Sequence, residues 1–401
     1  MRAVICQHNV SQKLVVPERP AIERRILVSC DASPSRIPVL VGGCGSGRTS
    51  LLLRVWDRVG RSQGQYIDAE RAASTPESFW NAVATATPYV AETASPSSNS
   101  DGAARAAFDR LLAFFEHAQP RGGGPSTFLI DELLELRTFQ SFPGLRGALR
   151  EFVAMLTRSS NRFVLATRYT SRAIHLFRDV SDRIELIQVP PLTLAEIAST
   201  LRRAGVGRDI AEREELSRLV HALSDGRPAY VLTLARALAS MDGASGGDPV
   251  SALASQLAPG APLSQVCRLC YELRLGRARG YGALKAILHV LAEEELLTLT
   301  EIALRLGRTP GSTKDYLSWL EDVDLIQVHR KRYSYRDPLL RLWVGLHSRP
   351  TPPDESDLSR QVQEYAVSRL PFMEPSVGVR EASASGRELE SDKAWSLIEI
   401  D

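Results

Sequence analysis

The sequence has almost no net charge and no long apolar run, and each shortage excludes a class of protein. Its 49 lysines and arginines nearly balance its 47 aspartates and glutamates, so the net charge of +2 gives no global signal for nucleic acid. No run approaches the roughly 18 apolar residues that a membrane span needs, and the N-terminus lacks the long apolar segment of a secretory signal. We therefore expect a cytoplasmic protein with no membrane partner.

Cysteines and histidines are too few and too scattered to predict a disulfide framework or a metal cluster. The five cysteines are an odd number, which suits a reducing compartment better than a disulfide scaffold. Cys267 and Cys270 have the spacing of half a zinc site, but no second cysteine or histidine pair follows at a plausible distance. We expect no zinc site.

A glycine-rich segment lies between an apolar run, residues 37–41, and a helical pattern that begins near residue 51. This order of strand, glycine-rich loop and helix is that of a P-loop, in which backbone N–H groups at a helix N-terminus cradle phosphates. The residues predicted to contact the nucleotide here are Gly42, Gly43, Cys44, Gly45, Ser46, Gly47, Arg48, Thr49 and Ser50. The Thr49 hydroxyl is placed to ligate Mg²⁺. The sequence therefore predicts binding of ATP with Mg²⁺.

Arg48 departs from the usual P-loop pattern, which has a lysine at this position. A guanidinium keeps the positive charge but is a planar fork rather than a compact donor. We expect Arg48 to take part in catalysis at the β- and γ-phosphates and to permit binding more readily than fast hydrolysis.

A second motif follows the buried strand predicted at residues 127–130, where Asp131 and Glu132 stand together. This order is typical of a Walker B element: Asp131 would hold Mg²⁺ through its water shell, and Glu132 would polarise the attacking water. Two acids after an apolar strand also occur as the first turn of a helix.

A third strand, residues 162–167, runs directly into Arg168. The order of P-loop, strand with Asp-Glu, strand with Ala-Thr-Arg and helical region resembles the STAND class of signalling P-loop ATPases, relatives of the AAA+ ATPases. The resemblance implies that Thr167 and Arg168 sense the γ-phosphate, with Arg168 catalytic. It also implies a lid motif at Gly226 and Pro228, with the proline packed near the nucleotide base, although a simple turn between two helices explains the same residues.

Three short helices and a hairpin over residues 282–335 resemble a winged helix-turn-helix. Its third helix would present Ser312, Thr313, Lys314 and Tyr316 to DNA, and its wing would present Arg330, Lys331 and Arg332. Acids near the same helix would repel phosphate, so docking onto a protein remains an equal alternative.

The predicted fold is therefore an α/β P-loop NTPase core with a largely parallel sheet, an all-α lid and a C-terminal winged helix-turn-helix. The expected divisions are a core over 1–189, a lid over 190–241, a linker and connecting helix over 242–275, the winged module over 276–347 and a partly disordered tail over 348–401.

Three functions fit this reading. The first is a STAND-type ATPase switch that hydrolyses ATP slowly and repositions its winged module toward DNA or a protein. The second is an AAA+ DNA-handling ATPase of the initiator or transposition-helper kind, acting as a homo-oligomer. The third is a nucleotide-binding scaffold without turnover.

Overall fold

The computed structural model describes residues 17–90, 102–178, 180–241, 247–276, 280–348 and 351–370. Residues 242–246 of the linker expected over 242–275 lie outside these ranges, as does the tail expected over 348–401 apart from residues 348 and 351–370. Within the described ranges, no helix combines the length and the apolar character needed to cross a membrane.

A five-stranded parallel sheet lies at the centre of the first half of the chain, in the order β2-β3-β4-β1-β5. Its strands are β1 (Ile37–Val41), β2 (Gly64–Asp68), β3 (Thr127–Asp131), β4 (Arg162–Thr167) and β5 (Ile184–Gln188). Because the strands are parallel, the carboxyl ends of β1, β3 and β4 open on one edge of the sheet. That edge brings the three predicted motifs together.

Helices and a 3₁₀ segment surround this sheet. They are α1 (Pro20–Asp31), α2 (Arg48–Val59), α3 (Ala69–Ala72), α4 (Pro76–Thr85), α5 (Ala103–His117), the 3₁₀ segment (Leu133–Ser141), α6 (Ala148–Arg158) and α7 (Thr170–Phe177). The parallel sheet with flanking helices confirms the predicted P-loop NTPase core.

Every residue of the strands β1 and β3 is buried, and successive strand residues point to opposite sides, so both faces of the sheet are covered at these strands. On one face Phe128 and Phe163 stack at 5.5 Å between ring centroids, and Phe115 of α5 meets Phe128 edge-on at 4.7 Å. On the other face Leu129 and Val164 pack with helices α1 and α2. Each fully buried side chain of this size contributes about 1.5–3 kcal/mol, so the edge that carries the motifs rests on a rigid support.

The second half of the chain is mainly helical. Its helices are α8 (Leu194–Ala204), α9 (Ile210–Ser224), α10 (Pro228–Met241), α11 (Pro249–Leu257), α12 (Pro262–Leu275), α13 (Tyr281–Glu293), α14 (Leu299–Arg305), α15 (Pro310–Asp322), α16 (Pro338–His347) and α17 (Glu355–Arg369). Thr193 and Glu196 form a capping box at the start of α8, since both of its hydrogen bonds are present. Pro228 begins α10 directly after the turn at Asp225 and Gly226.

Helices α13 to α15 are followed by a hairpin, in the order that the sequence predicts. Strands β7 (Ile326–His329) and β8 (Arg332–Tyr335) form the hairpin, and a short strand β6 (Leu297–Thr298) adds a third strand in the antiparallel order β6-β8-β7. The sequence pattern predicts neither β6 nor β5. Strand β5 is a half-exposed sheet edge with alternating polar residues, and its pattern is too short to distinguish from a loop.

Candidate nucleotide-binding site

The glycine-rich loop connects β1 to α2 as the sequence predicts. Gly45 and Gly47 have φ angles of 78° and 86°, a region that residues with a side chain rarely adopt. At Gly42 a Cβ atom would lie 2.9 Å from the Ser46 Oγ, so Ser46 would have to move. Gly45 and Gly47 are therefore the loop glycines that the backbone requires.

Arg48 is buried and folds back onto its own loop. Its Nη1 donates to the carbonyl oxygen of Gly42, to that of Gly43 at 2.6 Å and to the Ser46 Oγ at 2.9 Å. Its Nη2 forms an ion pair with Glu132 Oε1 at 2.8 Å. The guanidinium fork thus joins the phosphate loop to the acid after β3, an arrangement that the single terminal nitrogen of a lysine could not reproduce.

Thr49 and Asp131 meet at the base of the loop. The Thr49 hydroxyl donates to Asp131 Oδ2 at 2.6 Å, and the Tyr66 hydroxyl donates to the same oxygen at 3.1 Å. Burial raises the pKa of Asp131 above its ordinary value, and the bond from Thr49 only partly offsets this. The described residues contain no cluster of three metal-binding side chains, but Mg²⁺ commonly uses one carboxylate together with phosphate and water oxygens.

Glu132 lies between two arginines. Its backbone has a positive φ of 51°, and its Oε2 atom pairs with Arg168 Nε at 3.1 Å while Oε1 pairs with Arg48. The backbone N–H of Arg168 also donates to Oε2 at 3.0 Å. Burial raises the pKa of Glu132, but the charges of Arg48 and Arg168 outweigh burial and hold this pKa below its ordinary value. The two neighbouring acids, Asp131 and Glu132, therefore differ in electrostatic environment.

Arg168 stands at the carboxyl end of β4, as predicted, and contacts two acids. Besides Glu132 it pairs with Glu70 of α3, and these partners raise its pKa in spite of its burial. Thr167 is fully buried, and its Oγ1 accepts a hydrogen bond from the backbone of Tyr169 at 3.3 Å. Thr167 therefore positions the turn after β4, whereas Arg168 presents a charge to the site.

A cavity of about 250 Å³ lies beside the loop and the start of α2. Besides loop residues it is lined by Pro17, Arg19, Arg54, Pro228, Ala229 and Leu232. The start of α10 contacts the loop directly, because the backbone N–H of Ala229 donates to the Gly45 carbonyl at 3.1 Å. A larger cavity of about 750 Å³ between α12, α13 and α16 contacts no loop residue. Of these two cavities, the smaller one adjoins the phosphate loop.

Comparison with known proteins supports the fold at low sequence identity. No protein-family model matches the chain, and no curated protein matches it. A Walker-type ATPase of Pyrococcus abyssi is 17% identical, with a TM-score of 0.56 over 82% of this chain and 96% of that one. The chain has a P-loop ATPase fold.

Two further solved structures are less similar. A STAND protein of Pyrococcus horikoshii with a tetratricopeptide repeat sensor is 14% identical with a TM-score of 0.34, and the match covers 86% of this chain and 44% of that one. An Orc1 protein of Aeropyrum pernix in complex with DNA is 16% identical with a TM-score of 0.41, over 89% of this chain and 95% of that one.

Arg227, in the turn predicted as a lid motif, lies over the start of the P-loop. Its Nη1 forms an ion pair with Asp337 Oδ2 at 3.2 Å, and the Tyr230 hydroxyl donates to the same oxygen at 2.7 Å. A Cβ atom built on Gly43 would lie 3.3 Å from Arg227 Nη1. Arg227 thus connects the phosphate loop to the start of α16.

The expectation that the cysteines are unpaired is wrong for Cys44. It forms a disulfide with Cys270 of α12, across 226 residues of sequence and with a Cα–Cα distance of 5.7 Å. Cys30 and Cys267 are buried free thiols. The disulfide occupies one member of the Cys267–Cys270 pair. Sequence separation hides such a pairing, because only the fold brings α12 to the loop.

The basic residues of the predicted winged module are mostly at the surface. Lys314 is exposed on α15, and Arg330 and Lys331 form the tip between β7 and β8. Both tip residues have positive φ angles, 49° and 64°, which are unusual for residues other than glycine, asparagine or aspartate. Arg332 is exposed and uses its Nη1 to donate to the Leu296 carbonyl at 2.7 Å.

The prediction that Thr313 belongs to the DNA-facing surface is wrong. Its side chain is fully buried, and its hydroxyl donates to the Thr309 carbonyl at 3.0 Å. It faces inward because it follows Ser312 by one residue, a step of about 100° around the helix. Ser312 and Lys314 are exposed, whereas Tyr316 is only half exposed.

Several residues of the site belong to none of the predicted motifs. Tyr66 contacts Asp131, and Glu70 contacts Arg168. Arg274 of α12 lies against the loop at Gly43. Tyr66 and Glu70 lie at and beyond the end of β2, next to β3, so sheet order alone could have suggested them. Arg274 had no comparable signal.

Proposed function

We propose that this protein is an ATP-dependent molecular switch of the STAND type, which binds ATP with Mg²⁺, hydrolyses it slowly and couples its nucleotide state to the position of a winged-helix module at residues 276–347. The observation that carries the proposal is the placement of Glu132 between Arg48 and Arg168, beside the bonded pair Thr49–Asp131.

The residues present suit a magnesium nucleotide. The Thr49 hydroxyl and the Asp131 carboxylate offer hard oxygen ligands side by side. Bound Mg²⁺ would neutralise phosphate charge and orient the terminal phosphate. The loop and the N-terminus of α2 hold the phosphates, and the cavity beside Pro228 takes the nucleoside.

Competition for two arginines makes the site responsive to the γ-phosphate. Without phosphate, Glu132 is neutralised by Arg48 and Arg168, and its lowered pKa makes it a weak base. A γ-phosphate carries more negative charge than the carboxylate and attracts both guanidinium groups. Glu132 is then free to accept a hydrogen bond from the attacking water. Slow turnover follows, because each cycle must break and restore two buried ion pairs.

Asp324 connects this site to the proposed winged module. It follows α15 and is buried, and its carboxylate accepts bonds from the backbone N–H of Thr170 and from the Ser171 hydroxyl at 2.9 Å. Thr170 begins α7, two residues after Arg168. Asp324 also pairs with Arg336 at the start of the segment into α16. Movement of Arg168 toward a phosphate is therefore transmitted to the end of α15.

The first experiment measures thermal unfolding with Mg²⁺ and either ATP or ADP. A ligand at a hundred times its Kd stabilises the native state by about 2.7 kcal/mol, and Thr49→Ala should abolish most of that shift. Thr157→Ala, the same change on α6 away from the loop, is the control. No shift for the wild type at millimolar nucleotide would refute nucleotide binding.

A DNA-handling ATPase is the second candidate, and the exposed cationic tip at Arg330 and Lys331 favours it. Turnover stimulated by duplex DNA would support this candidate, whereas turnover stimulated only by a protein ligand would support the switch. Tight ATP binding without turnover would instead indicate a scaffold.

A further inference from the structure

Helix α12 places a second arginine against the phosphate loop. Arg274 is 3% exposed, and a Cβ atom built on Gly43 would lie 3.2 Å from its Nη2. Its neighbour Arg227 also approaches Gly43, but Arg227 is paired with Asp337. Two guanidinium groups from the C-terminal half of the chain therefore converge on the first part of the loop.

Unlike Arg227, Arg274 forms no ion pair with an acidic side chain among the described residues. Its Nε is buried without a hydrogen-bond partner, and its Nη1 donates to a backbone carbonyl, that of Asp324, at 3.1 Å. Within the described ranges, no carboxylate forms an ion pair with it. Burial and the nearby charge of Arg227 lower its pKa to about 10, so it remains charged at neutral pH. The charges of Asp324 and Asp337 oppose this lowering of the pKa but do not cancel it, so the buried charge still carries a cost that an anion at the loop would reduce.

The position of Arg274 indicates which part of an anion it would contact. The nucleoside cavity adjoins Gly47 and the start of α2, whereas Gly43 lies next to the Arg48–Glu132 pair at the opposite side of the loop. A nucleotide with its base in the cavity would extend its phosphates toward Gly43, and the last phosphate of a triphosphate would then come nearest to Arg274.

We propose that Arg274 is a phosphate-binding residue that contacts the terminal phosphate of a bound nucleoside triphosphate from α12, outside the loop and the β-sheet edge. The assignment rests on the nucleotide-binding function proposed above. It makes α12 part of the site and gives the triphosphate an additional contact that the diphosphate lacks.

Arg274→Met separates this role from a structural one. The substitution keeps an unbranched apolar stem and removes an unpaired buried charge, so the nucleotide-free protein should melt at the same temperature or higher. ATP affinity should fall by about 10- to 100-fold, the scale for a hydrogen bond to a charged group, and ADP affinity should fall less. Arg268→Met, an exposed arginine on the same helix, is the matched control and should change neither.

The measurement is calorimetric titration with ATP and with ADP in the presence of Mg²⁺, together with thermal unfolding. A lower melting temperature with an unchanged ATP-to-ADP affinity ratio would overturn the assignment. If Arg274→Met does not fold, Arg274→Gln keeps a polar side chain but removes the charge, and an unchanged ratio in that variant overturns the assignment equally. Failure of the wild type to bind either nucleotide would instead refute the proposed function itself.

The disulfide supports a second, independent inference, because Cys44 is the third residue of the phosphate loop. Cys270 lies one helical turn before Arg274 on the same helix. The Cα–Cα distance of 5.7 Å is within the usual range for a disulfide, so the bond can form and break without backbone rearrangement. In the oxidised protein α12 cannot separate from the loop.

We infer that reversible oxidation of Cys44 and Cys270 controls the rate at which nucleotide enters and leaves the site. In the closing reaction the two thiols lose two protons and two electrons to a low-molecular-weight disulfide, which is released as two thiols. A dithiol reductant reverses the reaction. Reduction frees α12, and with it Arg274, to move away from the loop.

The test follows release of a fluorescent ATP analogue by stopped flow. The wild type treated with oxidised glutathione should release it more slowly than the protein reduced with dithiothreitol, by about tenfold or more. Cys270→Ser should release it rapidly under both conditions, and Cys267→Ser, a buried free thiol on the same helix, should retain the response. Equal rates in oxidised and reduced wild type, or no Cys44–Cys270 peptide in non-reducing mass spectrometry, would overturn the inference, while equilibrium ATP binding tests the proposed function separately.

Discussion

Replacing Glu132 by glutamine should change three quantities separately: the free energy of unfolding, the affinity for ATP and the rate of turnover. Glu132 compensates two buried guanidinium groups, at 2.8 Å from Arg48 and 3.1 Å from Arg168. Removing one partner of a buried ion pair costs about 3–5 kcal/mol. An amide of the same size still accepts the backbone bond of Arg168, and Arg168 keeps Glu70 as a partner. We therefore expect a loss near the lower limit, about 3 kcal/mol of unfolding free energy.

The same change should strengthen ATP binding while it weakens catalysis. With the competing carboxylate removed, the arginines are available to the γ-phosphate, and a gain of about 1.4 kcal/mol would raise ATP affinity roughly tenfold. Loss of the base should lower turnover by about 10²-fold or more. Chemical denaturation, calorimetric titration and phosphate release measure the three quantities, and Glu116→Gln, an exposed glutamate at the end of α5, is the control.

The pH dependence supplies a further check on Glu132→Gln. The folded-state pKa of Glu132 is depressed below its ordinary 4.5. Its contribution to stability is therefore complete above the unfolded pKa and is lost as the pH falls through the lower folded pKa. The Glu132→Gln variant should lack this part of the loss of stability at low pH. Unchanged stability and unchanged ATP affinity in Glu132→Gln would refute the idea that Glu132 and the γ-phosphate compete for the two arginines, whatever the effect on turnover.

The remaining predictions concern the arginines and the cationic hairpin tip. Arg48→Lys should retain ATP binding and raise the rate of phosphate release, because a lysine cannot hold the loop carbonyls and Glu132 together; a slower rate would contradict this. Arg168→Ala should weaken ATP more than ADP in calorimetric titration, since only the triphosphate loses a contact, and an unchanged ratio would exclude a sensor role. If the tip contacts DNA, alanine at positions 330, 331 and 332 should flatten the dependence of log affinity on log salt by up to about three units. Fluorescence anisotropy with unrelated duplexes measures that slope.

The parts of the fold that the sequence predicts are those with a local signal. Gly45 and Gly47 mark the loop because their backbone angles favour glycine, and Thr193 with Glu196 marks a helix start because the two side chains cap it within four residues. Asp131 is predictable from the sequence because it ends a run of apolar residues, which must be buried on both faces of a sheet. Such signals depend on neighbours in the chain, so one sequence is enough to detect them.

The parts that escaped prediction depend on contacts distant in sequence. The pairing of Cys44 with Cys270 and the approach of Arg274 to Gly43 both require α12 to pack on the loop. The sequence also places Arg48 near the phosphates without indicating that its fork bonds to its own loop and to Glu132. That arrangement depends on side-chain geometry at the sheet edge, to which residues 48 and 132 contribute from separate elements.

The buried carboxylate of Asp324 has a thermodynamic consequence for any partner of the proposed winged module. It bonds to the start of α7, two residues beyond Arg168. If ATP raises the affinity for a partner through this contact, the partner must raise the affinity for ATP by the same factor, typically about 5- to 150-fold. The partner would then act as a second ligand of the nucleotide site. At a constant ATP concentration, the abundance of the partner would determine how long each ATP molecule stays bound.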